Sequence, residues 1–427
     1  VSGDFSGDSE GVPGEASCVE SAHNAPDIHH NNSGISRIRV FSLQICKAFL
    51  VQTKFGAVAG SPDRIIGFYT NSHPGVPVLP RFDQLRQWLE QTLPGAYHEF
   101  APASADASFR RYFRITFPNG DSPPLAKGRA SLIVMDAPPE QEDCRPWLAI
   151  ARLFGATGVH VPEILAEDPE QGFLLMSDLG SETYLSRLNA PDCTPYISAR
   201  LYADAIGALL AIQAASRPNA LPEYSDELLR RELMLFPDWY IARHKEVALN
   251  DEDKNALMEV FDKIIAVNLA EPKVFVHRDY HSRNLMVIPE EEGENPGIID
   301  FQDAVYGPLT YDLVSLFKDA YIEWEEDFTL DLLARYWEMA RKVGLPVRDN
   351  FADFYRDYEW MGVQRHIKVV GIFARLCYRD GKEGYLSSLP LLMRYLRKVC
   401  ERYRDLRPLL KLLDKLDPVP TETFFAF

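Results

Sequence analysis

The sequence predicts an α+β protein in which a small sheet-bearing lobe precedes a larger helical one. Three observations carry that prediction. Short runs rich in β-branched and aromatic residues, bounded by turn formers, recur between 109 and 180. Apolar residues then recur at helical spacing from about 195 to 416. One stretch interrupts the helical part: 274–301, VFVHRDYHSRNLMVIPEEEGENPGIIDF, where polar residues stand between short apolar runs.

Residues 1–79 are rich in Gly, Ser, Asn, His and Pro and carry few periodic apolar positions. That composition buries too little surface to offset chain entropy, so we expect disorder there, in an over-extended start or a dispensable tail. Within it, 36–60 loosely resembles an export signal, but Lys47 and Lys54 interrupt its apolar part. The first lobe, 80–180, opens with an amphipathic helix, PRFDQLRQWLEQTLP (80–94). Strands follow at FRRYFRITF (109–117) and SLIVMDA (131–137), then a helix at CRPWLAIARLFGATG (144–158). VPEILAED (161–168) and GFLLMSDLG (172–180) read as two more strands. In the second lobe, 181–427, Leu201, Ala205, Ala208, Leu209 and Ile212 form one core-facing stripe, and Leu330, Leu333 and Trp337 form another.

Lys plus Arg number 45 and Asp plus Glu 62, a net charge of −17. Such a surface repels phosphate backbones and anionic lipid heads, which argues against nucleic-acid and membrane partners. An anionic ligand would need metal ions and a local arginine cluster. The six cysteines lie far apart and form no C-x-x-C pair, as expected of free thiols in a reducing cytoplasm.

His277-Arg278-Asp279 with Asn284 fits H-R-D-x-x-x-x-N, the catalytic-loop pattern of phosphoryl transfer. The spacing has a chemical logic. Asp279 would orient the attacking hydroxyl and accept its proton. Asn284 offers magnesium a neutral oxygen, and Asp300, closing the next apolar run, offers an anionic one. Turn capping, the usual role of a lone Asp or Asn, accounts poorly for the combination.

HRDYHSRN, with IIDF and GPLTYDL after it, resembles the aminoglycoside phosphotransferase and choline kinase superfamily, whose loop reads H-x-D-x-H-x-x-N. His281, and Asp300-Phe301-Gln302 in place of D-F-G, distinguish it from most protein kinases. Within the superfamily, ASADASFRRYFRI (103–115), LIVMDAPPE (132–140), LLMSDLG (174–180), FQDAVYGPLTYDLVSL (301–316) and QRHIKVVGIFARLCYRDGKEGYL (364–386) resemble bacterial anomeric kinases of N-acetylmuramate and N-acetylglucosamine. This covers about 80–420. It implies a two-lobe, protein-kinase-like fold with ATP in the cleft, and a hinge whose backbone at Ser177, Asp178 and Leu179 contacts adenine. It also implies ATP- and Mg2+-dependent phosphorylation of an amino sugar at its anomeric hydroxyl, feeding recycled cell-wall sugars back to precursors. We expect a cytoplasmic monomer; an aminoglycoside- or choline-type kinase and a non-catalytic nucleotide-binding scaffold are the alternatives.

The chain departs from the family pattern in the first lobe. The phosphate-covering loop lacks glycines, leaving Ser104 and Ser108 as donors, and the expected strand lysine falls near Met135. Arg110, ahead of Arg111 and Arg114, is the replacement expected; solvated arginines are the other reading. Glu142, which would pair with that lysine from the following helix, is left without a clear role. His277 and His281 are expected to fix the loop by hydrogen bonding. Asp303 serves metal, sugar or a turn. Asp312 is either an N-cap or, by resemblance, the brace of the catalytic loop. Gln364, Arg365, His366 and Arg379 are candidate sugar-side groups, with a structural helix as the alternative.

Overall fold

In the first described helix, α1 (Arg81–Thr92), Leu85, Trp88 and Leu89 recur at helical spacing and are buried. The computed structural model describes residues 80–94, 99–105, 109–118, 122–290 and 292–418; the expectations for 1–79 and for Ser108 lie outside them. Strands β1 (Glu99–Ala105), β2 (Arg111–Thr116) and β3 (Ser131–Asp136) follow. Next come α2 (Arg145–Gly155), β4 (Ile164–Asp168) and β5 (Phe173–Ser177). The five strands form one antiparallel sheet in the order β1-β2-β3-β5-β4.

The pleat divides this sheet's side chains between two cores. Ile115, Leu132, Val134, Phe173 and Leu175 pack with α1 in one cluster. Met135, Leu174 and Met176 face the other way, into the core shared with α2 and the later helices. β1 is a strand the sequence reading missed. It carries Pro102, and its register slips between Pro102 and Ser104, which an edge strand tolerates.

The second part holds α3 (Tyr184–Leu188), α4 (Pro195–Ala214), α5 (Asp226–Leu233), a π-helical stretch (Phe236–His244) and α6 (Asp251–Leu269). Four short strands interrupt the helices: β6 (Lys273–Val276), β7 (Leu285–Met286), β8 (Gly297–Ile298) and β9 (Val305–Pro308). β6 pairs with β9 and β7 with β8, both antiparallel. The chain then runs through α7 (Tyr311–Phe317), α8 (Glu326–Lys342), the long α9 (Phe351–Asp380), α10 (Leu389–Arg402) and α11 (Arg407–Leu416). The fold is thus α+β, with an antiparallel sheet first and helices after it.

Thr183, Thr194, Ser225 and Asn250 cap α3, α4, α5 and α6, each accepting a backbone N–H with its side-chain oxygen. α4 is apolar and long enough by composition to cross a bilayer; here Leu201, Ala205, Leu209 and Ile212 are buried in the main core. The stripe expected on α8 needs correction. Leu330 is exposed, and the buried positions are Thr329, Leu332, Leu333, Tyr336 and Ala340, so the helix is turned from the expected phase. α9 passes so close to the π-helical stretch that a Cβ on Gly371 would lie 2.5 Å from the Leu235 carbonyl carbon. Cys144, Cys193, Cys377 and Cys400 are free thiols.

Candidate active site

A crossing between two small sheets and one hairpin assemble the site. The polar loop 277–284 joins β6 to β7, and Asp300 follows β8, so β7–β8 pairing returns Asp300 to the loop's end. Ile299 N–H donates to the Asn284 carbonyl at 3.1 Å and closes the arrangement. Arg278 (φ 77°) and Asp300 (φ 66°) both adopt the left-handed conformation. For non-glycine residues that strain costs about 1–3 kcal/mol each and persists where the surroundings enforce it.

The enforcement is visible in the hydrogen bonds. Asp312, in the first turn of α7 and fully buried, accepts from the N–H groups of His277 at 2.7 Å and Arg278 at 3.0 Å. Burial pushes its pKa up to about 7, against those two donors, which favour the charge. The N-cap position of α7 is Thr310. His277 is also fully buried. Its Nε2 donates to the Ile299 carbonyl at 3.1 Å, which leaves Nδ1 to accept from Asp279 N–H at 3.3 Å. Desolvation lowers the His277 pKa to about 4, so the ring is neutral. Farther along the loop, Ser282 donates to buried Asp319 through its N–H, at 3.0 Å, and through its hydroxyl.

Asn284 donates through Nδ2 to the Asp279 carbonyl at 3.0 Å and to Asp300 Oδ2 at 3.1 Å. Those two bonds orient the amide and free its oxygen. Gln302 donates to Asp300 Oδ1 at 2.9 Å, and its own Oε1 is buried without a partner. Two hard oxygen donors beside an unsatisfied buried oxygen fit a cation that takes its remaining ligands from phosphate and water. No cluster of three His, Cys, Asp or Glu side chains suited to a metal occurs among the described residues. Phe301 anchors the segment, lying 5.1 Å from Trp147 and 6.0 Å from Phe154 of α2, centroid to centroid.

The Asp279 carboxylate faces α9. Arg365 Nη2 lies 3.7 Å from it and donates through Nη1 to the Arg278 carbonyl at 3.1 Å and the Tyr311 hydroxyl at 3.3 Å. Lys368 donates to the Tyr311 hydroxyl at 2.8 Å and pairs with Glu232 at 3.1 Å. Glu232 also takes the Arg278 guanidinium and the Tyr224 hydroxyl. Desolvation opposes the charge on Asp279, but Lys368 and Arg365 outweigh it and hold the carboxyl well below the usual range. The Asp279 side chain is 39% exposed, so solvent screening weakens that effect.

Lys368, Glu232 and Asp319 were not read from the sequence. Lys368 sits three and four residues beyond Arg365 and Gln364, a spacing that puts all three on one helix face; for Glu232 and Asp319 no local signal exists. His366 faces elsewhere. It is buried, stacked on Tyr395 at 5.0 Å, and bonded to the Lys318 carbonyl at 3.3 Å. Gln364 donates to Glu232 at 3.1 Å. Arg379 pairs with its exposed neighbour Asp380 at 2.8 Å and makes no hydrogen bond to the loop. The Asp303 carboxylate is largely exposed, 3.9 Å from Arg278.

In the sheet lobe, Arg110 is buried and pairs with Glu142 at 3.2 Å. Glu142 lies before α2, in the connection from β3, and not on the helix as expected. Met135 is buried among apolar neighbours. Arg111 pairs with Asp136, and Arg114 with Asp178. Asp178 thereby spends its side chain on Arg114, Ser131 and Gly180 N–H. The Ser177 hydroxyl accepts from Glu163 N–H at 2.8 Å. Leu179 packs with Met286, Ile288 and Ile299, an apolar patch beside the residue that precedes Asp300. A Cβ on Gly297 would lie 2.8 Å from Ile288 and 3.1 Å from Leu179, so glycine permits that packing. Ser104 is the register partner of Tyr112. A cavity of about 520 Å³ between α2 and β4 shares no residue with the catalytic loop.

A family model described as "Phosphotransferase enzyme family" matches residues 99–348. The N-acetylmuramate/N-acetylglucosamine kinase of Pseudomonas aeruginosa is 47% identical over 346 residues, 79% of this chain and 97% of that protein. Among solved structures, choline kinase from Cryptosporidium parvum Iowa II superposes with a TM-score of 0.52 at 12% identity, over 78% of this chain and 99% of that one. ADP-bound aminoglycoside phosphotransferase APH(2'')-Ib gives 0.50 at 13%, over 74% and 98%. The last two likenesses are of fold. The chain belongs to the phosphotransferase enzyme family, on the branch of the N-acetylmuramate/N-acetylglucosamine kinases.

Proposed function

We propose that this chain transfers the γ-phosphoryl group of ATP to the anomeric hydroxyl of N-acetylmuramate and N-acetylglucosamine. The observation that carries the reading is an ionised Asp279 held on a braced loop, next to the Asn284–Asp300 pair. Asp279 orients the anomeric hydroxyl. As its oxygen bonds to the γ-phosphorus, the bond to the β-phosphate oxygen breaks, ADP departs and the proton passes to the Asp279 carboxylate. A carboxylate so far below its usual pKa is a weak base, which suffices because the transition state is loose and the anomeric hydroxyl is the sugar's most acidic.

Asn284 and Asp300 would hold magnesium, which when bound neutralises phosphate charge. Arg110, oriented by Glu142, takes the place of the missing lysine at the α- and β-phosphates. The backbone at Ser177–Leu179 meets adenine above the Leu179, Met286 and Ile299 patch. Arg365 and Lys368 disfavour a cationic acceptor of the choline type, because their charges stand beside Asp279.

The test is the product. With ATP and magnesium, phosphorus NMR should show a sugar 1-phosphate, labile to mild acid, and a reducing-sugar assay should fall as it forms. A product that keeps its reducing end refutes the anomeric assignment. No product from amino sugars, choline or aminoglycosides would favour the scaffold.

A further inference from the structure

Arg283 stands on the catalytic loop between Asp279 and Asn284, and it is exposed. Its guanidinium carbon lies 4.0 Å over the Tyr321 ring, and among the described residues no carboxylate pairs with it. The neighbouring cations differ: Arg278 and Lys368 pair with Glu232, and Arg365 faces Asp279. The position of Arg283 is built into the fold. Asp319, 2% exposed, accepts from Ser282 N–H through Oδ2 and from Tyr321 N–H through Oδ1, each at 3.0 Å. One buried carboxylate therefore fixes both the residue before Arg283 and the ring beneath its guanidinium.

Tyr321 continues into an aromatic wall. Its ring meets His281 edge-on at 5.6 Å and Phe373 at 6.1 Å, and Phe373 meets Tyr385 at 5.1 Å. His281 contributes an Nδ1 that is buried without a partner. Beside Asp279 there is thus an apolar wall suited to the face of a sugar ring, an unsatisfied ring nitrogen and an unpaired planar cation. Stacking occupies the face of a guanidinium and leaves its in-plane N–H groups free.

N-acetylmuramate differs from N-acetylglucosamine by a lactyl ether that ends in a carboxylate. We propose that Arg283 binds that carboxylate, with Tyr321 holding the guanidinium in orientation, and so sets the preference between the two sugars. The proposal rests on the amino-sugar kinase reading above. Arg365, one of the sugar-side candidates named from the sequence, already bonds the Arg278 carbonyl and the Tyr311 hydroxyl.

Steady-state kinetics of the full chain on both sugars, at saturating ATP, tests the assignment through Arg283→Gln and Arg283→Lys. In Arg283→Gln the kcat/KM for N-acetylmuramate, relative to that for N-acetylglucosamine, should fall roughly tenfold to a hundredfold, the loss of a charge-assisted hydrogen bond. The fall should appear in KM for N-acetylmuramate. Arg283→Lys should recover only part of it, since lysine keeps the charge but loses the fork. An unchanged ratio, or equal losses on both sugars, overturns the inference alone. Absence of product from both sugars in the unaltered protein overturns the kinase reading and the inference with it.

Discussion

Arg110 and Glu142 meet in the sheet lobe, guanidinium Nε to carboxylate Oε1 at 3.2 Å, with the arginine side chain 7% exposed. Met135, near which a strand lysine was expected, is buried among apolar side chains. Arg110 stands in the segment leading into β2 and Glu142 in the connection before α2, neither on the strand nor on the helix where such a pair was expected. If Arg110 holds the ATP phosphates, Arg110→Ala should weaken ATP by about 1.5–3 kcal/mol with little change in sugar KM. Glu142→Ala should cost less, because it removes only the orienting partner. The double variant should be no worse than Arg110→Ala, since the two act as a unit. Additive losses in ATP affinity would mean that the residues work separately.

Asp279 and Asp300 should separate in their response to magnesium. Asp279→Asn keeps shape and hydrogen bonding, so ATP should still bind more tightly with magnesium than without, while turnover falls by roughly 10²–10⁴-fold. Asp300→Asn should abolish turnover and also the magnesium-dependent part of ATP binding, read by calorimetry with and without the ion. Magnesium-enhanced ATP binding in Asp300→Asn would remove this residue from the metal site.

The gathering of His277, Asp279, Asn284 and Asp300 was legible in the sequence because one short stretch carries them and a hairpin returns Asp300 to the loop. The sheet lobe was legible too, except for β1, whose Pro102 and small residues hide an edge strand. What could not be read was which way a helix turns its polar residues. Gln364, Arg365, His366 and Lys368 all lie on α9, yet His366 faces Tyr395 on α10 and Lys368 faces Glu232 on α5. Such ion pairs join elements distant in the chain and leave no local pattern. Leu330 shows the same limit for apolar residues, since helical spacing fixes a stripe's period and not its phase.

Glu271 gives a stability prediction away from the chemistry. Its Oε2 accepts from Thr310 N–H at 3.0 Å and hydroxyl at 2.8 Å, while buried Oε1 has no partner. Burial raises its pKa from 4.5 to about 8. Between those values the folded state holds a proton that the unfolded state has lost, so this residue's contribution to stability declines as pH rises from 4.5 to 8. Glu271→Gln removes that titration. The melting temperature of the variant relative to the unaltered protein should therefore be higher at pH 8 than at pH 5. A difference that does not change with pH would show that Glu271 is ionised in the fold.

Lys368 supplies the last prediction, because its charge reaches Asp279 through space while its ammonium bonds Glu232 and Tyr311. Desolvation opposes the carboxylate form of Asp279, and Lys368 is the strongest influence favouring it. Lys368→Met removes that support at similar volume, and Glu232 keeps Arg278 and Tyr224 as partners. The Asp279 pKa should then rise, because its charged form has lost a favourable neighbour. If turnover needs that form, as proposed, the acidic limb of kcat/KM should move to higher pH in the variant. N-acetylglucosamine is the substrate for this comparison, since it carries no titrating group, and ATP ionisation contributes equally to both proteins. Arg365→Met should shift the limb in the same direction but also loosen the loop, through loss of its bond to the Arg278 carbonyl, and so lower the pH-independent rate. Carbon-13 NMR of the Asp279 carboxylate reads the same proton directly, and a titration midpoint in Lys368→Met that coincides with that of the unaltered protein would show that the Lys368 charge does not govern it.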